Sequence, residues 1–334
     1  MKALVTGGMG FLGHGICQRL VAQGDQVLSV SRGHYPELAA QGIEHHALDL
    51  SQGEKALLPM MESVDVVFHC AARAGISGKA ESYLAPNTDG TQAVFSAALQ
   101  ARVGAMVHTS SPSVCFDGKD HRGVDELPLA SRFLSAYSAS KARAEKLLMR
   151  GLGADLPLTI LRPHLIFGPG DPHLIPRLIK RAQKKKLISI KPRLEPMEVS
   201  LTYIDNAVDA HLAAAKTLLA KGSKAPCHGR AYFIAQTEPV DLWKWIKDLL
   251  QALDLPAPKR QVSARTAHLI GTLLETLWKT LPLAGEPPLT PFVAAQLSTS
   301  HSYNMARAQS DLGYSEKVAL TEATARTVAF YLGG

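Results

Sequence analysis

Hydrophobic positions along the chain fall into two alternating patterns. Short apolar runs at residues 3–5, 26–31, 44–50, 64–71 and 105–110 have the length of buried strands. Between them, 14–23 carries Ile16, Leu20 and Val21, and 87–99 carries Val94, Ala97 and Ala98, both at helical spacing. Residues 137–150 are dominated by Lys, Ala, Glu and Leu, which favour helix. This alternation predicts a parallel sheet covered by helices on both faces. Residues 159–162 add a strand broken by Pro163, and 201–205 and 231–234 read as strands that return after an excursion. The excursion passes through the loop Gly168-Pro169-Gly170-Asp171-Pro172 and a basic stretch at 176–186 that ends in Lys184-Lys185-Lys186. A charge run of that kind reads as a solvated helix end. Helices follow at 207–219, 242–253 and 268–281. The last carries Leu269, Ile270, Leu273, Leu274, Leu277, Trp278 and Leu281 as one stripe. Stripes of this kind usually face their own core; a pocket lid, a partner contact and an interfacial membrane helix are the minority readings.

The first strand enters the first helix through Thr6-Gly7-Gly8-Met9-Gly10-Phe11-Leu12-Gly13. Gly7, Gly10 and Gly13 let the backbone turn tightly, approach a ligand closely and pack the helix on its strand. The N–H groups at that helix start then suit a pyrophosphate. Turn, preceding strand and following helix together predict a dinucleotide site in an α/β fold, a Rossmann-type doubly wound parallel sheet. The cofactor domain spans 1–163 and 201–236, and a smaller, mostly C-terminal substrate domain takes 164–200 and 237–334. At the end of the second strand stands Ser31-Arg32-Gly33, where NAD sites usually carry Asp or Glu. A guanidinium beside a hydroxyl favours a 2′-phosphate, hence NADP(H).

Composition narrows the class without changing the picture. The chain is 46% hydrophobic and 19% charged, with a net charge of +7, which favours anionic ligands in general. No basic stripe with interleaved aromatics points to nucleic acid. Cys17, Cys70, Cys115 and Cys227 have neither pairing nor metal spacing, so no metal is expected and a reducing, cytoplasmic setting is. No signal peptide is evident, and no apolar run approaches the roughly 20 residues of a membrane span.

Tyr137 and Lys141 stand four apart, on one helical face and about 6 Å apart along the axis. An ammonium there would lower the phenol from its ordinary pKa of about 10 toward the range useful for proton transfer. In Thr109-Ser110-Ser111-Pro112-Ser113, past the fifth strand, a hydroxyl at a ligand-binding strand end could hold the oxygen that reacts. Composition alone leaves Ser110 and Ser111 both open.

With these residues in place, the sequence resembles the extended short-chain dehydrogenase/reductase family. The resemblance rests on the glycine turn, Asp49-Leu50, His69 to Ala72, Asn87 with Gly90-Thr91, Thr109 to Ser111, Tyr137 with Lys141, Arg162-Pro163, Tyr203-Ile204-Asp205 and Asp311-Leu312-Gly313-Tyr314. The stretches 109–114, 162–171 and 203–207 look most like its 3β-hydroxysteroid dehydrogenase branch. The resemblance implies a catalytic set of Tyr137 as general acid/base, Lys141 as binder of the nicotinamide ribose and Ser111 as polariser of the substrate oxygen. Gly7, Gly10, Phe11, Leu12 and Gly13 would line the pyrophosphate turn. Asp49 and Leu50 would lie by the adenine, Ala71 near the ribose, and Pro163, Leu165 and Ile166 by the nicotinamide. It also implies a hydrophobic ketone or alcohol as substrate, with reduction of a 2-alkyl-3-oxo acid the leading expectation.

The rivals are a steroid or sterol 3β-dehydrogenase and a nucleotide-sugar epimerase. Pro112 and Ser113 replace the acidic pair of the family's sugar-nucleotide dehydratases, which counts against dehydration. A non-catalytic NADP(H) sensor would not need Tyr137, Lys141 and Ser111 together. Family resemblance further suggests a homodimer built on the helices starting near Asn87 and Tyr137; a third possibility is an active reductase docked in a larger biosynthetic assembly through the 268–281 stripe or Lys184 to Lys186.

Overall fold

The computed structural model describes residues 1–75, 77–153, 155–281 and 283–333. Seven strands form one sheet: β1 (Lys2–Thr6), β2 (Gln26–Ser31), β3 (Ile43–Ala47), β4 (Val66–His69), β5 (Ala105–Thr109), β6 (Leu158–Pro163) and β7 (Ala231–Ile234). Their order is β7-β6-β5-β4-β1-β2-β3, and every pairing is parallel. The doubly wound sheet expected from the alternating pattern is borne out, and its order reverses between β1 and β4.

Strand periodicity explains how both faces are filled. Ala3, Val5, Val66, Phe68, Ala105 and Val107 point to one side, where Leu12, Ile16 and Leu20 of helix Phe11–Ala22 join Ala207 and Ala214 of helix Ile204–Lys221. Leu4, Leu28, Val30, Val67, Met106 and Ile160 point to the other, against Val94, Phe95 and Ala97 of helix Gly90–Gln100 and Leu148 of helix Ala136–Arg150. A strand buried on both faces reads as the near-continuous apolar run seen in the sequence.

Several boundaries differ from the sequence reading. The third strand stops at Ala47: after a last bond from Leu48 N–H to Ser31 O, the Asp49 carboxylate caps a turn through Ser51 N–H. Asn87 lies in a π turn, Ala85–Asp89, between helix Glu81–Leu84 and helix Gly90–Gln100. Pro86, lacking an N–H, interrupts the helical ladder there. β6 runs through Pro163, which sits opposite Ile234 as the strand's last residue. Of residues 201–205 only Thr202–Tyr203 is extended, and it pairs with Ile166–Phe167 outside the main sheet.

The largest correction concerns the 268–281 stripe. Helix Ala264–Thr280 buries Ala267 and Gly271, while Leu269 and Leu273 are 65% and 72% exposed and Ile270, Leu277 and Leu281 are also exposed. A Cβ at Gly271 would lie 2.7 Å from the Thr290 carbonyl carbon, so the helix docks by its small residues at close backbone approach. Leu274 and Trp278 are half-buried, and the other five members of the stripe face outward, not into the core.

Beneath the sheet's C-terminal edge lies a buried polar network. His69 bonds Thr6 Oγ1 at 2.7 Å and Thr91 Oγ1 at 2.8 Å, His211 bonds Thr109 Oγ1 at 2.9 Å, and His164 Nε2 meets His301 Nδ1 at 2.7 Å. Burial lowers His69 to about 3 and His211 and His301 to about 4, and holds His108 and His164 well below the ordinary range. All five are therefore neutral in the folded chain, whereas the unfolded chain protonates them below about 6.5. Stability should fall as pH drops through that value, by about 2 kcal/mol per buried imidazole between about pH 7 and pH 5. Urea unfolding midpoints at the two pH values check this; equal midpoints would show that these imidazoles charge freely in the folded state.

Candidate active site

The sequence places glycine where β1 meets β4 because no other residue fits. Gly7 has φ +71°, and a Cβ on it would lie 2.9 Å from Ala71 Cα and N. A Cβ on Gly13 would lie 2.2 Å from Gly7 O. Gly10 is the N-cap residue of helix Phe11–Ala22, with no side-chain cap and no acidic residue in the first turn. The start of that helix therefore keeps its positive end available to an anion. Ser31 Oγ, at the end of β2, is buried with no hydrogen-bond partner. This cradle with its orphaned hydroxyl fits a dinucleotide lying across the reversal of strand order.

The other expected cofactor residues gather along the same edge. Gly7 N–H donates to Val30 O at 2.7 Å and Leu48 N–H to Ser31 O at 2.9 Å, which ties the ends of β1, β2 and β3 together. Asp49 is held below the usual carboxylate range chiefly by its bonds to Ser51, with a smaller contribution from the Arg32 guanidinium. Leu50 is buried, and Phe11 and Ala71 are half-buried. Pro163 and Leu165 line a cavity of about 260 Å³, and Ile166 follows half-buried. Leu165 has φ +42°, a conformation uncommon for such a side chain and frequent at ligand clamps.

Ser111, Ser113, Tyr137, His164, His173, Arg177, Phe292 and Gln296 line the same cavity. Ser135 caps helix Ala136–Arg150 through Ser138 N–H, which fixes the helix start one residue before Tyr137. Ser111 caps its own turn through Ser113 N–H at 3.2 Å and also bonds the Tyr137 phenol. Of the two serines left open by composition, Ser111 faces the phenol, while Ser110 Oγ is buried without a partner.

Lys141 corrects one expectation. Its Nζ donates to Thr109 O at 2.6 Å and lies 3.4 Å from His108 Nε2, and it exerts no resolved pull on the phenol. Burial raises the Tyr137 pKa, and the Ser111 bond offsets this only in part. Burial lowers Lys141 to about 8, with Glu145 one turn on opposing the shift. Glu145 itself grips Arg162 with two bonds of 3.0 and 2.6 Å. The aligned set Tyr137, Lys141 and Glu145 thus carries proton donor, cation and buried counter-charge on one helical face.

The sequence reading missed the residues on the far wall. Asp171 accepts from the N–H groups of His173, Leu174 and Ile175, capping helix Leu174–Gln183 and setting His173 and Arg177 at the cavity. Arg177 Nη2 reaches Glu286 Oε2 at 3.0 Å. An aspartate three residues before the helix start was the available signal; Asp171 was read as part of a glycine- and proline-rich loop, and Arg177 as part of a solvated basic run.

Comparison with known proteins agrees with this geometry. Residues 4–264 match the 3-beta hydroxysteroid dehydrogenase/isomerase family. The chain belongs to that family. Family members similar to it include the 2-alkyl-3-oxoalkanoate reductase of Stenotrophomonas maltophilia, 42% identical over 98% of this chain and 99% of that one. The reductase of the same name from Shewanella oneidensis is 41% identical over 98% and 85%. The mouse sterol-4-alpha-carboxylate 3-dehydrogenase, decarboxylating, is 32% identical over 98% and 90%. Among solved structures, MoeE5 in complex with UDP-glucose and NAD superposes with a TM-score of 0.73 over 99% and 98% of the two chains, at 23% identity, which speaks to the fold. As a 3-beta hydroxysteroid dehydrogenase/isomerase family member, the chain is a nicotinamide-dependent oxidoreductase acting on CH–OH groups.

The Lys141 environment gives a pH signature. Below about 8 the amine is charged; above it the folded protein releases a proton that the unfolded chain keeps to about 10.4, so stability rises with pH over that window while the cation is lost. We expect kcat/KM to fall above pH 8 and Lys141→Arg, which does not titrate, to flatten that limb. An unchanged alkaline limb in the arginine variant would assign the loss to another group.

Proposed function

We propose that this chain is an NADPH-dependent reductase that converts a 2-alkyl-3-oxoalkanoate to the 2-alkyl-3-hydroxyalkanoate. The observation that carries the reading is a single cavity holding a proton donor and a permanent cation. Tyr137 and Ser111 lie on one wall, and Arg177 is the one lysine or arginine among the described lining residues. A carbonyl oxygen held by Ser111 receives the phenolic proton, and the raised Tyr137 pKa keeps that proton in place for donation, as reduction requires. When bound at the glycine turn, the reduced nicotinamide supplies the hydride. The carboxylate of a 3-oxo acid pairs with the guanidinium of Arg177, displacing the Glu286 carboxylate that pairs with it here.

A cavity of about 260 Å³ suits the reacting end of a flexible chain better than a rigid four-ring skeleton. Lined also by Ala74, Pro163, Leu165 and Phe292, it offers little to a nucleotide-sugar. NADPH over NADH is supported by Arg32, exposed at the end of β2, and by the absence of a carboxylate on that strand end.

The test is absorbance at 340 nm with a long-chain 2-alkyl-3-keto acid and either cofactor. NADPH should be consumed much faster than NADH, and Arg32→Ala should erase most of that preference. Tyr137→Phe should abolish turnover yet retain NADPH binding; turnover in that variant would sink the acid assignment. Arg177→Met should raise KM for the keto acid at least tenfold, about 1.4 kcal/mol, and leave a neutral ketone of the same chain length unaffected. If the keto acid is inert while NADPH binds, sterol and UDP-sugar substrates come next.

A further inference from the structure

We propose that the exposed face of helix Ala264–Thr280, with the basic segments beside it, docks on an anionic lipid bilayer. This inference does not depend on the substrate. Leu269, Leu273 and Leu277 follow one another at successive turns, joined by Ile270 and Leu281, and all five are exposed. Such a face costs free energy in water unless something covers it.

The chemistry around the helix says what the cover is. Residues 172–194 and 255–274 contain eleven lysines and arginines and no aspartate or glutamate, while the whole chain has a net charge of only +7. The remainder is therefore net acidic, and the positive excess is concentrated here. The two segments are neighbours because Ile188–Ile190 pairs with Arg260–Val262. Lys191, Arg193, Arg265 and His268 share a groove with Leu269, where cations and apolar stripe meet. Lys185, Lys186, Lys259 and Arg260 border a second groove beside the exposed Ile188.

A second copy of this chain is a poor cover, because a symmetric contact would set Lys185, Lys186, Lys191, Arg193, Lys259, Arg260 and Arg265 against their own copies. An anionic bilayer answers both features: leucines enter the acyl boundary and lysines meet headgroups. No helix among the described residues is long and apolar enough to cross a membrane, so the helix lies along the surface. Gly271 packs on the backbone of Thr290 and Pro291 at the start of helix Pro291–Gln296, which supplies Phe292 and Gln296 to the catalytic cavity. Docking would seat that cavity beside the lipid.

Co-sedimentation of the full chain with phosphatidylcholine vesicles, with and without phosphatidylglycerol, tests this. Binding should require phosphatidylglycerol and weaken with salt. Leu273→Glu, and separately Lys184, Lys185 and Lys186 all changed to Gln, should each lower the partition coefficient at least tenfold, with turnover of a soluble substrate unchanged. Failure of the wild-type chain to bind the anionic vesicles overturns the proposal, as does full binding by Leu273→Glu. Self-association that Leu273→Glu abolishes, without vesicle binding, overturns it in favour of an interface between copies.

Discussion

The close approach of Gly7 to Ala71 is the constraint on which the rest of the molecule depends. With 2.9 Å between the absent Cβ and the Ala71 backbone, β1 and β4 end together and part only beyond that point. Because the strand order reverses there, the helices after the two strands leave toward opposite faces and a crevice opens between them. Every group with a chemical part to play stands on the rim of that crevice. The glycine turn and Arg32 lie on one side; Ser111, Tyr137 and Leu165 lie on the other.

The electrostatics of the crevice are set by exclusion of water more than by charge pairing. Five buried imidazoles stay neutral, Lys141 is drawn down to about 8, and the Tyr137 phenol is pushed up, all from burial as the largest cause. Near neutrality the floor beneath the reacting atoms then presents one buried cation and no buried anion within the histidine network. Glu145, the buried carboxylate one turn beyond Lys141, is paired with Arg162. A site of this character favours charge that develops on a substrate oxygen over charge already present on a side chain.

Local signals in the sequence determined more of the fold than of the site. The second strand and β7 were legible to the residue, because apolar runs bounded by turns report burial directly. Periodicity reports amphipathicity but not which side meets water, so the leucine stripe of Ala264–Thr280 was assigned to the core. There, two small residues, Ala267 and Gly271, make the buried contact. Spacing put Tyr137 and Lys141 on one face, yet it could not show that Thr109 O claims the ammonium. Composition left Ser110 and Ser111 open and only the family resemblance pointed to Ser111; the physical reason appears once the Tyr137 helix is packed beside it. Arg177 stayed hidden because its role depends on a helix start fixed by Asp171, a contact that composition cannot express.

That helix start is itself held from a distance. The Tyr331 hydroxyl, on helix Leu320–Leu332, donates to Asp171 O at 2.9 Å, and Asp171 in turn organises the first amides of the helix that bears Arg177. Two residues 160 positions apart in sequence therefore share one hinge of the cavity wall. Under the proposed reading of Arg177, the far end of the chain acts as a strut for substrate recognition without touching substrate. Drift in the last helix of a related sequence would then retune which head groups the cavity admits while every motif of the reaction stayed the same.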